Sequence, residues 1–305
     1  MDELMLDRYK GSIFGLAIGD ALGATVEFST RKEDAPDVEM NGGGVFNLKP
    51  GEWTDDTSMA LCMAQSIIEK DKFDIGDVAT KFVAWMDNGY MSSNGKCFDI
   101  GNTTYSALSY FRFYRAISGL NSPANGSLMR LCPIPLAFRE NPRLYQIAEE
   151  SSIITHNNVL AIDACKYYSN LILKCFTRSN KTDILSYDRL FSKNITSPEF
   201  EYIIKRSFIG LEEKEFWNPT GYVIDTINAA LWAFANSETF EDGLLKAVKL
   251  CGDADTVGAI YGQLAGTYYG FNKIPSNWIN VIAKKELLET ISIQLYEFSK
   301  RSSNK

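Results

Sequence analysis

The sequence predicts an all-α, single-domain protein, on three observations. Apolar residues recur at helical spacing over most of the 305 residues, strand-like alternation is scarce, and two segments carry glycine at every fourth position. No βαβ rhythm appears, and no proline-rich or low-complexity linker divides the chain, so residues 1–305 read as one helical bundle.

The first element is marked by Gly11, Gly15, Gly19 and Gly23 in GSIFGLAIGDALG. Spacing by four keeps these glycines on one slowly drifting flank of a helix. Each costs about 1 kcal/mol against alanine in a helix interior, a repeated cost that makes sense where another backbone comes close. Asn41-Gly42-Gly43-Gly44 lacks the GK[ST] ending of a phosphate-cradling loop and reads as a mobile loop. Residues 56–70 set Met59, Leu61, Met63, Ile67 and Ile68 along a broad apolar face. Residues 74–87 do the same with Ile75, Val78, Phe82, Val83 and Trp85, and Asn88-Gly89 supplies a stop. Further helices are predicted over 127–139, 143–154, 158–177, 199–211, 221–235, 240–251, 256–270 and 277–300. The polar stretch 178–198 is the candidate surface excursion. The helix over 256–270 repeats the opening device, with Gly258, Gly262, Gly266 and Gly270.

Composition bounds the function. Hydrophobic content of 45% and charged content of 23% are those of an ordinary soluble globular protein. A net charge of −7 argues against a nucleic-acid surface and leaves any anionic ligand to be held by local donors. The six cysteines form no CxxC pair and none adjoins the single histidine, a pattern of buried free thiols in a reducing compartment. The N-terminal MDELMLDRYK is too charged for a signal peptide, and no run reaches the ~18 apolar residues of a membrane span. A cytoplasmic protein, apart from membranes, is expected.

Two helix starts carry the chemistry. WTDDT places Thr54, Asp55, Asp56 and Thr57 ahead of one helix; GDADT places Asp253, Asp255 and Thr256 ahead of another. N-capping accounts for one such oxygen per helix, worth ~1 kcal/mol, but not for three or four. The helix dipole favours these carboxylates in their charged form, and four aspartates meeting at one point would repel strongly unless cations lay between them. All-oxygen donors suit hard ions, Mg²⁺ first and Mn²⁺ as the alternative.

Together GSIFGLAIGDALGATVEF, LKPGEWTDDTSMAL, NGSLMR, ITHNN and GYVIDT…GDADTVGAIYGQLAGTYYG resemble the ADP-ribosylglycohydrolase family. They look closest to its bacterial branch, the dinitrogenase reductase-activating glycohydrolases. The resemblance implies a compact all-α fold, a cleft with two Mg²⁺ or Mn²⁺ ions, and hydrolysis that releases ADP-ribose from a modified protein, commonly from arginine. On the matching positions, Thr54, Asp55, Asp56, Asp253, Asp255 and Thr256 are the implied metal-binding residues. Glu27 and Asp99 are the implied acid/base candidates, the choice between them open. Asn102, Asn125, Gly126, Ser127, His156 and Tyr222 are the implied substrate contacts. Asp99 to Asn102 alone would be ordinary turn chemistry, a lone histidine is usually structural, and Tyr222 serves equally as a core aromatic. The implied partner is an ADP-ribosylated protein, alternatively a cognate ADP-ribosylating toxin that an immunity protein of this branch neutralises, and the protein is expected to act as a monomer. Other ADP-ribose linkages (serine, O-acetyl-ADP-ribose, a nucleobase) would use the same acids.

Overall fold

The computed structural model describes residues 2–302. Among them are fourteen α-helices and no strand, only isolated bridges. In chain order these are α1 (Asp2–Gly23), α2 (Asp55–Lys70), α3 (Ile75–Asn88), α4 (Asn102–Tyr114), α5 (Pro133–Ala137), α6 (Leu144–Ile153) and α7 (Val159–Thr177). They continue with α8 (Lys181–Leu185), α9 (Pro198–Lys205), α10 (Val223–Ala235), α11 (Phe240–Val248), α12 (Ala254–Tyr269), α13 (Ser276–Val281) and α14 (Lys285–Ser302). No helix among the described residues is long and apolar enough to cross a membrane. All six cysteines are free thiols, and five of them are buried.

α1 and α12 form the centre. Every residue of α1 from Gly11 to Gly23 is buried, as is α12 from Ala254 to Thr267, and helices apolar all round belong inside. The two run antiparallel with their glycines facing: Gly11 meets Gly266, Gly15 meets Gly262, Gly19 meets Gly258, and Gly23 meets Ala254. A Cβ at any of these glycines would overlap a carbonyl oxygen of the opposite helix. The four-residue series is therefore the footprint of backbone-to-backbone packing, as the spacing predicts, except at Gly270, which ends α12 at φ 85° with its Cα facing the Asp7 side chain. α2 and α14 pack on α1, while α7, α10 and α11 pack on α12. Gln263 ties the next layer to this pair: its Oε1 accepts from Cys132 N at 2.9 Å and its Nε2 donates to Met129 O at 2.5 Å.

Several boundaries differ from the sequence expectation. The helix expected over 127–139 is a 3₁₀ turn at Asn125–Ser127 followed by the short α5. Pro133 and Pro135 account for this, since proline is at home in a first turn and breaks an interior. The helix expected over 277–300 is two, α13 and α14. Ala283 N donates to Gly51 O at 3.0 Å and Lys284 Nζ to Ser92 O at 2.6 Å, so tertiary bonds pull the chain off helical course. The helix of 199–211 stops at Lys205. The excursion over 178–198 contains α8 and a 3₁₀ turn. α4 was not expected; NTTYSALSYFRFY is rich in aromatic and β-branched residues of modest helix propensity. Gly89 does end α3, at φ 67° with its N–H on Ala84 O and Trp85 O.

Adding a methyl group at Gly15 or Gly262 must push the two central helices apart. Gly15→Ala is expected to lose about 1–3 kcal/mol in urea unfolding. Gly76→Ala, where a Cβ would meet only Asp74 Oδ1 at 3.6 Å, is expected to be neutral or stabilising.

Candidate active site

The glycine contact ends where the chemistry begins. Its last pair brings the C-terminal end of α1 against the N-terminal end of α12, and α2 starts beside both. Asp20, fully buried in α1, reaches across to the start of α2. Its Oδ1 accepts from Thr54 N at 2.8 Å and Thr54 Oγ1 at 2.9 Å; its Oδ2 accepts from Thr57 N at 3.0 Å and Thr57 Oγ1 at 2.6 Å. Thr54 stands at the N-cap position but makes no side-chain capping bond. Asp20 caps α2 from outside, and so Asp55 and Asp56 are released from that task. At α12 the N-cap residue Asp253 likewise makes no capping bond.

The released carboxylates converge. Glu27, Asp55, Asp56, Asp99, Asp253 and Asp255 all line one cavity of about 690 Å³, within the ~300–1,000 Å³ range of small-molecule sites. Among the described lining residues there is no lysine or arginine. Oxygens of Glu27, Asp99 and Asp255 lie within 4.8 Å of one another, an arrangement able to hold a metal ion. Both oxygens of Asp56 and Oε2 of Glu27 are buried without a hydrogen-bond partner. Buried unpaired acceptors are costly, and a hard cation is the partner this oxygen-only set fits.

Electrostatics tell the same story. Burial first, then the charges of Asp99 and Asp253, pushes Glu27 up to about 9. Burial, then Asp20 and Asp253, pushes Asp99 up to about 7. Burial raises Asp20 to about 6 against four hydrogen bonds that favour its charged form. Asp55, Asp56 and Asp255 are raised well above the ordinary carboxylate range, by burial first and then by neighbouring acids, led by Asp99 at Asp55, Asp20 at Asp56 and Glu27 at Asp255.

Three strands of loop complete the walls. Leu120 N donates to Thr155 O and Asn157 N to Leu120 O, while Asn125 N donates to Gly221 O and Val223 N to Pro123 O. These bonds clamp residues 120–125 between the histidine loop and the start of α10. Asn125 Nδ2 is spent on Asp253 Oδ2 at 2.5 Å and Thr226 Oγ1 at 2.9 Å, so this side chain holds Asp253 in place. Asn102 opens α4 at the cavity wall, and Asp99 turns toward it through a left-handed backbone at φ 59°. Gly126, His156 and Thr256 also face the cavity.

Three residues singled out in the sequence lie behind or beside the wall. Thr54 serves Asp20, with its Oγ1 3.4 Å from Asp255 Oδ2. Ser127 is buried and accepts from Ser152 Oγ at 2.9 Å. Tyr222 donates its hydroxyl to Glu199 at 2.7 Å. Conversely, sequence reasoning passed over Asp20, Phe28 and the loop from Asn218 to Gly221. Asp20 carried a signal: between Lys10 and Glu27 it is the single charge in a run otherwise apolar or small. A charge inside a buried helix must have partners. Phe28, 64% exposed at the rim and held at φ 59°, carries no such signal in the sequence.

Comparison with known proteins agrees with this geometry. The family profile described as ADP-ribosylglycohydrolase matches residues 1–304. The chain is 36% identical to the ADP-ribosylarginine hydrolase Tri1 of Serratia proteamaculans, over 95% of this chain and 79% of that one. It is 32% identical to the ADP-ribosyl-[dinitrogen reductase] glycohydrolase of Rhodospirillum rubrum, over 92% and 91% of the two chains. A solved structure titled ADP-ribosylglycohydrolase-related protein complex superposes with a TM-score of 0.86 at 36% identity, covering 97% of this chain and 99% of that one. The chain belongs to the ADP-ribosylglycohydrolase family.

A carboxylate whose folded pKa exceeds its unfolded value binds its proton more tightly in the fold. Its stabilisation is complete below about pH 4 and is lost as pH rises through the folded pKa. For the chelated protein, stability is therefore expected to fall from pH 5 upward through about 6 (Asp20), 7 (Asp99) and 9 (Glu27), and added Mg²⁺ or Mn²⁺ to flatten that fall. Asp56→Asn is expected to raise the melting temperature of the chelated protein and to shrink the rise that metal gives. Differential scanning calorimetry reads both.

Proposed function

We propose that this member of the ADP-ribosylglycohydrolase family hydrolyses the N-glycosidic bond between ADP-ribose and an arginine side chain of a modified protein, with two divalent ions, Mg²⁺ or Mn²⁺, among its carboxylates. The observation that carries the reading is the pair of released helix starts: Asp55 and Asp56 beside Asp253 and Asp255 on one cavity, with Asp56 unpaired. Asp55, Asp56, Asp253, Asp255 and Thr256 would hold the ions, with Thr54 beside Asp255, while the oxygens of Glu27 and Asp99 approach Asp255 and stay free for proton transfer. When bound, such ions supply positive charge that orients sugar hydroxyls and acidifies water.

The rest falls to the chain's own groups. Cleaving the bond from C1″ to the guanidine nitrogen develops positive charge on the sugar. The cavity is lined by six acidic side chains and, among the described residues, by no lysine or arginine, an environment that favours this cation and the cationic arginine group. Water adds its oxygen to C1″; its proton passes to Glu27 or Asp99 and the leaving nitrogen regains a proton, so that water is consumed and ADP-ribose and arginine are released. With the site free of metal, both acids are held above the ordinary carboxylate range, by burial first and then by neighbouring acids. Asn102, Gly126 and His156 face the ligand, and Asn125 acts by fixing Asp253. The cavity draws on segments from Glu27 to Thr256, so we take the chain to act as one domain. The relative named as an ADP-ribosylarginine hydrolase supports arginine as the linkage, and the one named for dinitrogen reductase supports a modified protein as the substrate.

Release of ADP-ribose from an arginine-ADP-ribosylated protein, with a serine-linked substrate alongside, tests the reading. Asp56→Ala is expected to lose metal and turnover together. Of Glu27→Gln and Asp99→Asn, the one at the acid/base is expected to lose ~10²–10⁴-fold in kcat while keeping its metal. Unchanged turnover in Asp56→Ala, or hydrolysis that survives exhaustive chelation, would contradict the scheme.

A further inference from the structure

The only histidine of the chain ends a buried polar relay that the hydrolysis scheme does not use. Arg130 is wholly buried, its guanidinium stacked 4.6 Å from the Phe82 ring centroid. Arg130 Nη2 donates to Thr155 Oγ1 at 2.7 Å, and Thr155 Oγ1 lies 2.7 Å from His156 Nδ1. A guanidinium only donates, so the Thr155 oxygen accepts from it, and the single hydroxyl proton is free for another acceptor. Among the described contacts, His156 Nδ1 is the acceptor within reach of that proton. Nδ1 thus accepts, which places the hydrogen of the neutral ring on Nε2.

The opposite side of the ring faces the site. A Cβ on Gly126 would stand 2.7 Å from His156 Cε1 and 3.1 Å from Nε2, so this glycine keeps the edge of the ring clear. Gly126 and His156 both line the cavity.

We infer that Arg130, through Thr155, is a positioning residue that locks His156 as a neutral Nε2–H donor toward an acceptor oxygen of the bound ADP-ribose. The identity of the ligand rests on the function proposed above; the relay does not. Burial, then the nearby Arg130 charge, holds the imidazole down to about 3, so the ring stays uncharged beside six carboxylates. A charged imidazole would be drawn to those acids, whereas a neutral one with a fixed proton keeps its donor for the ligand.

The single histidine makes the test direct. Protein labelled with ¹⁵N in the imidazole gives one pair of ring nitrogen signals, and no variant need fold for it to be read. The wild type is expected to show Nδ1 unprotonated, Nε2 protonated, and no titration between about pH 5 and 9. Thr155→Val, which keeps the shape but removes the hydroxyl, is expected to mix the tautomers and weaken ADP-ribose binding about ten-fold, the worth of one hydrogen bond. Thr155→Ser is expected to restore both. A proton on Nδ1 in the wild type, or a Thr155→Val protein with unchanged tautomer and affinity, overturns the relay. The expected tautomer in a wild-type protein that does not bind ADP-ribose overturns the functional reading and leaves the relay supported.

Discussion

The structure depends on two helices that touch backbone to backbone. Gly11, Gly15, Gly19 and Gly23 of α1 face Gly266, Gly262, Gly258 and Ala254 of α12, with no side chain between them at the glycine pairs. Glycine costs helix propensity at seven of these eight positions, and the return is close approach of the two backbones, each glycine standing against a carbonyl oxygen of the opposite helix. Because the contact runs the length of both buried segments, it fixes their register as well as their distance. Register matters here, since it decides which end residues of α1 meet the start of α12.

From that register follows a division of labour among acids. Asp20 takes the structural work, binding two backbone N–H groups and two hydroxyls at the head of α2. Asp55 and Asp56, which a helix start would ordinarily use as caps, are left facing a cavity. The cost is visible as buried carboxylates held above their usual pKa by burial and mutual repulsion, with Asp56 lacking any partner. Protein folds rarely keep such groups without a compensating ligand, and functional sites are where they do.

How much of this the sequence discloses depends on how local the physics is. The glycine series, the paired acidic helix starts and the Gly89 stop are local patterns with one physical reading each, and the structure contains all three. Resemblance to a family added the loops that no local rule would single out, such as Asp99 to Asn102. What escaped reading is tertiary. The break between α13 and α14 carries no proline or glycine at its centre; it answers to bonds from Gly51 and Ser92, more than 190 residues away in the case of Ser92. α4 forms from residues of indifferent propensity because Leu108 and Phe111 bury against the core. Asn125 lines the cavity and also braces Asp253, a second role set by a partner 128 residues distant. Tyr222 sits beside the cavity loop but directs its hydroxyl to Glu199.

The central claim is that the starts of α2 and α12 form one divalent metal site. Diffraction from crystals grown with Mn²⁺, with anomalous data collected at the manganese edge, tests it most directly. The account predicts anomalous peaks inside the cavity, bonded to oxygens of Asp55 or Asp56 on one side and Asp253 or Asp255 on the other. Ions bound elsewhere on the surface, with the cavity carboxylates protonated and hydrogen-bonded to each other at neutral pH, would contradict it.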